Sequence, residues 1–217
     1  MSLRTLTLVA CMVMLPVAAG CTVTGHSVAD SGDLSSSSVQ ADDFPVPGAT
    51  RVPTPAVPFA VAGLAGTDPA IASPSDCIPP RVDATGAVVW QVIVDGGASS
   101  YTSAVTHADE SVAADVARAE RCPQTFSGDA AAGTRITTTV LPAPPGPTGV
   151  DTAAIRRITG SGDDEHRVVT SSLTLIGQRD GVRVYAQYRN PGEDAIPADA
   201  AAGLDSLFTK ALAAAFG

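Results

Sequence analysis

The sequence has few of the residues on which nucleic-acid binding and metal binding depend. Its 217 residues include a single lysine, three histidines and four cysteines, and aromatic residues make up 4% of the chain. Acidic residues number 22 against 13 basic ones, which gives a formal net charge of -9. Binding to nucleic acid requires clustered lysine and arginine that neutralise phosphates, whereas the arginines here are scattered. We therefore expect no nucleic-acid partner.

The common catalytic motifs are missing as well. The sequence contains no GxSxG, SxxK, HExxH or ExxH pattern, and His26, His107 and His166 lie far apart. The acidic group at 163–166 follows a glycine, and neighbouring side chains in a turn diverge, so we interpret it as a solvated hairpin tip. We expect no catalytic residues, no bound metal and no cofactor. A hydrolase that uses an unrecognised serine or aspartate stays open as an alternative.

The first twenty residues have the pattern of an exported and lipid-modified protein. Arg4 supplies a positive charge, residues 6–17 are mostly apolar, and two alanines and a glycine directly precede Cys21. This pattern resembles a bacterial lipobox, in which a peptidase cleaves before a lipid-modified cysteine. A transmembrane helix is the alternative, but it needs about 20 apolar residues and Pro16 interrupts a shorter run here. We expect residues 1–20 to be a signal peptide, and acylated Cys21 to anchor the protein at the extracytoplasmic face of the cell membrane.

The charge of the mature chain bears on how it would attach. Cleavage before Cys21 removes one arginine and no acid, which leaves 12 basic and 22 acidic residues and a formal charge of -10. Such a surface is not attracted to anionic lipid head groups. We therefore expect the acyl chains alone to hold the domain at the membrane.

The segment after Cys21 has the composition of a spacer. Residues 22–43 are rich in Ser, Gly and Asp and offer little apolar surface to offset chain entropy. Residues 45–58 alternate proline with small residues, which favours a stiff, extended chain. We therefore predict a lipidated cysteine and a Ser/Pro-rich stalk over 21–58, followed by one extracytoplasmic domain over 59–217.

Two cysteines remain available to pair in the mature protein. Cys11 leaves with the signal peptide and Cys21 is consumed by the lipid, so Cys77 and Cys122 are left. A pair of cysteines in an exported protein indicates one disulfide. Metal binding is the competing interpretation, but two distant thiols without a CxxC motif or a nearby histidine pair do not form a typical site.

The middle of the chain carries both strand and helix signals. Residues 87–94 are mostly apolar and β-branched at odd and even positions alike, which indicates a central strand covered on both faces. A second strand over 101–106 precedes an amphipathic helix, for which residues 106–109 have the spacing of a capping box and which ends at Cys122. Further β-prone stretches cover residues 134–141 and 150–159.

The best-defined element is a hairpin formed by residues 168–179 and 182–189. Asp180 and Gly181 fit a two-residue type I′ turn. With Arg179 opposite the first residue of the second strand, apolar residues face apolar residues at every second position. This agreement between the turn and the hydrophobic pattern fixes the register of the hairpin.

A terminal helix completes the fold. Apolar residues recur at helical spacing at Leu204, Leu207, Phe208, Ala211 and Leu212. The order of elements predicts the α+β class, with an antiparallel β-sheet, two helices packed on one face and one disulfide.

The sheet face opposite the helices offers the one candidate ligand site. Arg183, Tyr185 and Arg189 share this face of the hairpin, with Arg156 and Arg157 on or beside it. Guanidinium groups can bind carboxylate, sulfate or phosphate with two hydrogen bonds. The alternative is a solvated outer face, because open antiparallel sheets ordinarily present a polar side to water.

Several of these features together resemble a known group of proteins. The helix end at Cys122, the Thr-rich strand, the turn at Asp180 and the Ala/Leu-rich terminal helix look like small actinobacterial lipoproteins of mycobacterial and nocardial type and unassigned function. More remotely, residues 76–216 resemble the extracytoplasmic sensor domain of a mycobacterial receptor Ser/Thr kinase. That sensor domain carries two disulfides and a cleft, whereas this chain can form one disulfide, so the resemblance transfers no functional residue.

These observations lead to a functional expectation with two alternatives. We expect a non-enzymatic, lipid-anchored binding or sensor protein of the cell envelope that recognises a small envelope molecule or an extracytoplasmic protein. A carrier that shields a lipid or another apolar molecule is the first alternative, and a cavity beneath Leu204, Phe208 and Leu212 would favour it. An unrecognised hydrolase is the second.

Overall fold

One antiparallel sheet organises the computed structural model, which describes residues 32–66, 71–128, 133–163 and 166–217. Numbered in chain order, the nine strands of the described residues form this sheet in the order β1-β3-β4-β9-β8-β7-β6-β5-β2, and every neighbouring pair is antiparallel. The strands are β1 Thr50–Arg51, β2 Ile71–Ser73, β3 Val88–Val94, β4 Ser99–His107, β5 Gln124–Ser127, β6 Thr134–Leu141, β7 Asp151–Ser161, β8 Val168–Arg179 and β9 Val182–Pro191. The α+β class and the antiparallel sheet are confirmed. The strand predicted to be central, β3, instead lies beside the short edge strand β1.

Helices cover both faces of this sheet. They are α1 Val57–Ala65, α2 Val112–Arg121 and α3 Ala198–Phe216, with short 3-10 turns between other elements. The prediction of two helices on one face is therefore wrong, because the helices exceed two and α2 and α3 lie on opposite sides. We call these sides the α3 face and the α1/α2 face.

The α3 face is a continuous apolar core. Leu204 and Leu207 of α3 have no exposed surface, and Phe208 and Leu212 are almost as deeply buried. A Cβ atom on Gly177 of β8 would lie 2.4 Å from a methyl carbon of Leu212, so the helix approaches the sheet closely at this point. Burial of large apolar side chains is the main stabilising contribution on this side.

The α1/α2 face is apolar over only part of the sheet. Val61 and Leu64 of α1 and Val112 of α2 pack against sheet residues. These are Val89, Ala104, Ala153, Ile155, Ile176 and Tyr185. The alternation along each strand sends neighbouring residues to opposite faces, so β3 contributes Val88 to one core and Val89 to the other.

The β8–β9 hairpin has the predicted turn and register. Asp180 and Gly181 both adopt positive φ angles, 51° and 77°, as a type I′ turn requires. Arg179 pairs with Val182, and the register continues through all the predicted partners to Thr170 and Pro191. The hydrophobic pattern and the turn residues together were sufficient to define this element.

The predicted disulfide is confirmed. Cys77 and Cys122 are joined across a sequence separation of 45 residues. Cys122 is the residue that ends α2, as predicted, whereas the helix begins later than the capping-box spacing suggested. Ser111 is the N-cap, and its hydroxyl accepts a hydrogen bond from the Ala114 backbone N–H at 3.2 Å.

The predicted stalk is wrong for its described part, because residues 32–58 belong to the folded domain. Leu34, Val39, Phe44 and Ala49 are buried in the core of the α3 face. Lys210 of α3 donates a hydrogen bond to the Asp43 carbonyl at 2.8 Å, and β1 extends the sheet beside β3. Four apolar side chains spaced along this segment supply the burial that its Ser/Pro-rich composition did not suggest.

The predicted signal peptide and Cys21 lie outside the described residues. No helix in the described part of the chain is both long enough and apolar enough to cross a membrane.

Candidate functional site

Arg183 and Tyr185, two of the three candidate ligand residues, are enclosed by the fold. Arg183 is 2% exposed and Tyr185 is fully buried. Both point to the α1/α2 face, which was predicted to be uncovered, and α2 closes over them. The Arg183 guanidinium donates to the Tyr185 hydroxyl at 3.2 Å. These two residues meet as expected, but they face protein groups and not an open surface.

Arg183 forms part of a four-residue charge cluster with α2. Its guanidinium contacts the Asp115 carboxylate at 2.5 Å, and Asp115 also pairs with Arg118. Arg118 in turn contacts Glu110. Two arginines and two carboxylates therefore balance one another. We call Glu110, Asp115, Arg118 and Arg183 the charge cluster.

The remaining donors of Arg183 are also occupied. Its Nε donates to Gln178 Oε1 at 2.8 Å, and another N–H donates to the Glu110 main-chain carbonyl. Removing one partner from such a cluster would leave a buried charge without compensation. The charge cluster therefore holds α2 against the sheet, and Arg183 has little capacity left for a ligand.

The environment shifts the pKa values of several groups in this region, among them Glu110, Asp115 and Tyr185. The hydrogen bond from Arg118 lowers the pKa of Glu110, whereas burial raises the pKa of Asp115 against the attraction of Arg183. Burial also raises the pKa of Tyr185, so this phenol stays protonated at neutral pH.

Arg189, the third candidate, lies in a different and open part of the same face. It is exposed, and its guanidinium donates a long hydrogen bond of 3.4 Å to the Thr170 hydroxyl. Here the sheet and α1 enclose a groove of about 490 Å³, which is within the range of small-molecule sites. We call this feature the polar groove. Its sheet side is lined by Gln91, Ser100, Thr102, Thr134, Ile136, Arg157, Thr159, Thr170, Ser172, Gln187 and Arg189.

The floor of the polar groove consists of ordered rows of polar residues across adjacent strands. Ser100 pairs with Arg189, Arg189 pairs with Ser172, and Ser172 pairs with Arg157. Because neighbouring strands lie about 4.8 Å apart, the backbones of the two arginines are separated by about 10 Å. Two positive side chains thus stand on either side of Ser172 in one row.

A second row supplies amides and hydroxyls. The Gln91 amide donates to the Thr102 hydroxyl at 3.2 Å, and the Gln187 amide donates to the Thr174 hydroxyl at 2.8 Å. Each glutamine is therefore held in place while its amide oxygen remains an acceptor. The groove floor combines fixed acceptors with hydroxyl groups that both donate and accept.

Arg157 lies at the junction of the groove and α1. It donates to the main-chain carbonyls of Leu64 and Ala65, both at 3.2 Å, and so satisfies acceptors at the C-terminal end of α1. α1 ends at Gly66, where φ is 76°, and a Cβ atom there would lie 2.8 Å from the guanidinium. Burial lowers the pKa of Arg157, although an arginine side chain keeps its proton at physiological pH.

The charges around Arg157 do not balance as they do in the charge cluster. Among the described residues, no carboxylate forms an ion pair with Arg157, and none lines the polar groove. The groove therefore carries two guanidinium groups with which no described carboxylate forms an ion pair, in a chain whose net charge is -9.

α1 forms the apolar wall of the groove. Phe59 lines it and is 79% exposed, which is unusual for a phenylalanine. Gly63 lines the same wall, and a Cβ atom at this position would meet nothing within 4 Å. An exposed aromatic side chain and open space thus lie beside the polar floor.

Sequence reasoning missed α1 and Phe59 as parts of the site. A short helix was expected within residues 59–72, but the glycines and proline there left its limits undefined, and the aromatic ring could not be assigned to a surface without the fold. Arg156, considered together with Arg157, points to the opposite face and donates to the main-chain carbonyl of Glu193 at 2.6 Å.

The geometry of the site is suited to binding. Within the described ranges, no group of three His, Cys, Asp or Glu side chains is placed to hold a metal ion. The acidic group at 163–166 lies partly outside the described residues; in its described part, Asp163 accepts a hydrogen bond from the His166 backbone at 2.8 Å. The polar groove can donate to an anion, exchange hydrogen bonds with hydroxyl groups and offer one aromatic ring.

Comparison with known proteins adds little. No protein-family model and no curated protein matches the chain. A solved structure of an uncharacterised protein from Mycobacterium smegmatis, the Rv0999 ortholog, is similar with a TM-score of 0.43 and 12% identity. The match covers 77% of this chain and 85% of the other. At this similarity the match transfers no property to this chain.

Proposed function

We propose that this protein is a non-enzymatic binding protein of the cell envelope that takes up a small molecule in the polar groove. The observation that carries this proposal is the groove itself, which has about 490 Å³ of space between an ordered polar floor and the exposed ring of Phe59. A floor of hydroxyls, amides and guanidinium groups recognises a ligand by hydrogen bonds and charge. Membrane attachment through acylated Cys21 at the extracytoplasmic face is part of the same proposal.

A binding role is favoured over a carrier of apolar molecules. A carrier would need space beneath Leu204, Phe208 and Leu212, and α3 instead approaches Gly177 so closely that a single added methyl would contact Leu212. The open space that we identify lies on the other face and is lined mainly by polar side chains. An apolar ligand would leave these groups without hydrogen-bond partners.

The experiment is native mass spectrometry of the full chain, purified in a non-ionic detergent from a mycobacterial host and re-measured after denaturation. We expect a mass excess that is lost on denaturation. The variant Gly63→Trp should lack this excess, because the new side chain projects into the open space at the groove wall. Gly63→Ala is the matched control, since it adds one methyl group and favours the helix.

Two outcomes would count against the proposal. A mass excess that persists unchanged in Gly63→Trp would place the ligand elsewhere on the protein. A bare polypeptide mass in the parent and in both variants, even after envelope extract is added, would leave the groove without a ligand and would favour a protein partner instead.

A further inference from the structure

The balance of charge in the polar groove indicates which chemical class of ligand it takes. In the charge cluster, the buried arginine Arg183 and its neighbour Arg118 are both paired with carboxylates. The groove contains two arginines, and no carboxylate among the described residues lines it. A negatively charged ligand would therefore balance the positive charge of the groove.

Positive charge is only one part of the lining. Ser100, Thr159 and Ser172 present hydroxyl groups to the groove, and no hydrogen bond to another described residue involves these three hydroxyls. Gln91 and Gln187 add amide oxygens that are fixed by their own donated bonds. A simple inorganic anion would bind the arginines and leave these hydroxyls and amide oxygens without ligand partners. A charged ligand with many hydroxyl groups would form hydrogen bonds with both sets.

Phe59 contributes an apolar surface at the opposite wall. Its side chain is 79% exposed although apolar residues of this size are usually buried. An exposed ring at the wall of a polar groove can pack against the C–H face of a sugar while the floor binds the hydroxyls.

We propose that the polar groove binds a polyhydroxylated anion, namely an acidic saccharide whose carboxylate or phosphate group pairs with Arg189 and Arg157. This inference rests on the proposed function and specifies its ligand class. Arg189 is the more adaptable of the two arginines, because the only described hydrogen bond of its side chain is the long one to Thr170. Arg157 is held by the end of α1 and contributes a fixed positive charge.

The test measures affinity by calorimetry with the full chain in a non-ionic detergent and three probes. Digalacturonate carries hydroxyls and charge, its dimethyl ester carries the same hydroxyls without charge, and inorganic phosphate carries charge alone. We expect digalacturonate to bind about tenfold or more tightly than either of the others, since charge-assisted hydrogen bonds are stronger than neutral ones. Equal binding of the ester would overturn the anionic class, and equal binding of phosphate would overturn the saccharide.

Substitutions test whether the affinity for digalacturonate arises from the polar groove. Arg189→Gln should lower the affinity for digalacturonate about tenfold and leave the ester unchanged, and Arg189→Lys should recover part of the loss because lysine keeps the charge but not the paired geometry. Arg121→Gln removes an exposed arginine of α2 outside the groove and should change nothing. A loss in Arg121→Gln equal to that in Arg189→Gln would show a non-specific charge effect and overturn the assignment.

The two proposals can fail separately. If none of the probes binds, but a ligand from the host is still displaced by Gly63→Trp, the acidic saccharide is wrong and the binding function stands. If digalacturonate binds equally well to the parent chain and to Gly63→Trp, it does not bind in the polar groove and the acidic-saccharide proposal fails, whereas the proposed function fails only if the mass excess from the host also persists in Gly63→Trp.

Discussion

The two faces of one sheet stabilise this protein in different ways. On the α3 face, apolar side chains are buried against a helix that approaches the sheet as closely as Gly177 allows. On the α1/α2 face, a small apolar core adjoins a balanced charge cluster and an open groove with unbalanced charge. The α3 face and the charge cluster stabilise the fold. We place ligand binding in the polar groove, where the surface is open and the arginines form no ion pairs with described carboxylates.

The largest expected effect comes from breaking the charge cluster. Asp115→Ala removes the carboxylate that pairs with Arg183, whose side chain is 2% exposed. We expect the free energy of unfolding to fall by about 3–5 kcal/mol, because a buried charge loses its partner. Urea denaturation measures this loss.

A second substitution separates the contribution of charge balance from that of packing. Adding Arg183→Met to Asp115→Ala also removes the guanidinium that has lost its carboxylate partner, and should recover much of the lost unfolding free energy. If the double variant is as unstable as the single one, packing and not charge balance is the main contribution of the cluster.

The next effect tests the α3 face. Leu204→Ala deletes a side chain with no exposed surface, and we expect a loss of about 2–5 kcal/mol in unfolding free energy. Ile93→Ala is the matched control on the other face, because Ile93 is 63% exposed. It should change stability by no more than about 0.5 kcal/mol. Similar losses in the two variants would contradict the contrast between the faces.

A smaller effect follows from the lowered pKa of Glu110. A carboxyl whose pKa is lower in the folded state than in the unfolded state contributes stability above its unfolded pKa and loses it as the pH falls through the folded pKa. Glu110 faces Arg118, Asp115 and Arg183, and Arg118 is the main cause of the shift.

The corresponding variant is Glu110→Gln. We expect it to be less stable than the parent at pH 7 by on the order of 1 kcal/mol or less, because solvent screens a partly exposed pair. The difference should shrink as the pH falls below the ordinary pKa range of glutamate, which urea denaturation at a series of pH values would detect. A difference that grows on acidification would contradict the assigned direction.

The smallest effect on stability is expected in the polar groove. Arg189→Gln removes an exposed side chain with one long hydrogen bond, so the unfolding free energy should stay within about 0.5 kcal/mol of the parent value. A thermal melt checks this expectation. A large loss would mean that Arg189 supports the fold, and its effect on binding could then not be read as a ligand contact.

Local signals predicted much of the sheet. Asp180-Gly181 defined a turn and the alternation of β8 and β9 defined its register, because both depend on neighbours in sequence. The pairing of Cys77 and Cys122 followed from the small number of cysteines. The terminal helix followed from the spacing of Leu204 and Phe208.

Local signals could not predict which face of the sheet each helix covers. The amphipathic pattern of α2 shows that one side is buried, but not which face of the sheet covers it, and this choice decides whether Arg183 is enclosed or open. The folded segment at 32–58 was missed because its composition is dominated by Ser, Pro and Gly. Leu34, Val39, Phe44 and Ala49 were the signal that could have revealed it.

The groove was partly accessible to sequence reasoning. Arg189 was identified from the polar face of the hairpin, and Arg157 was noted beside it. The ring of Phe59 and the absence of lining carboxylates among the described residues depend on how α1 meets six strands, β3, β4 and β6–β9, most of which are distant from it in sequence. Such a site is formed by topology, so no local motif encodes it.

The most direct test of the contrast between the faces is an NMR titration of the isotope-labelled full chain in detergent with the small-molecule fraction of a mycobacterial envelope extract. The account predicts that shifted amide signals cluster at Ser100, Thr102, Gln187 and Arg189 and at α1, with α3 unchanged. Shifts concentrated at Leu204, Phe208 and Leu212 would contradict it and would favour a carrier of apolar molecules.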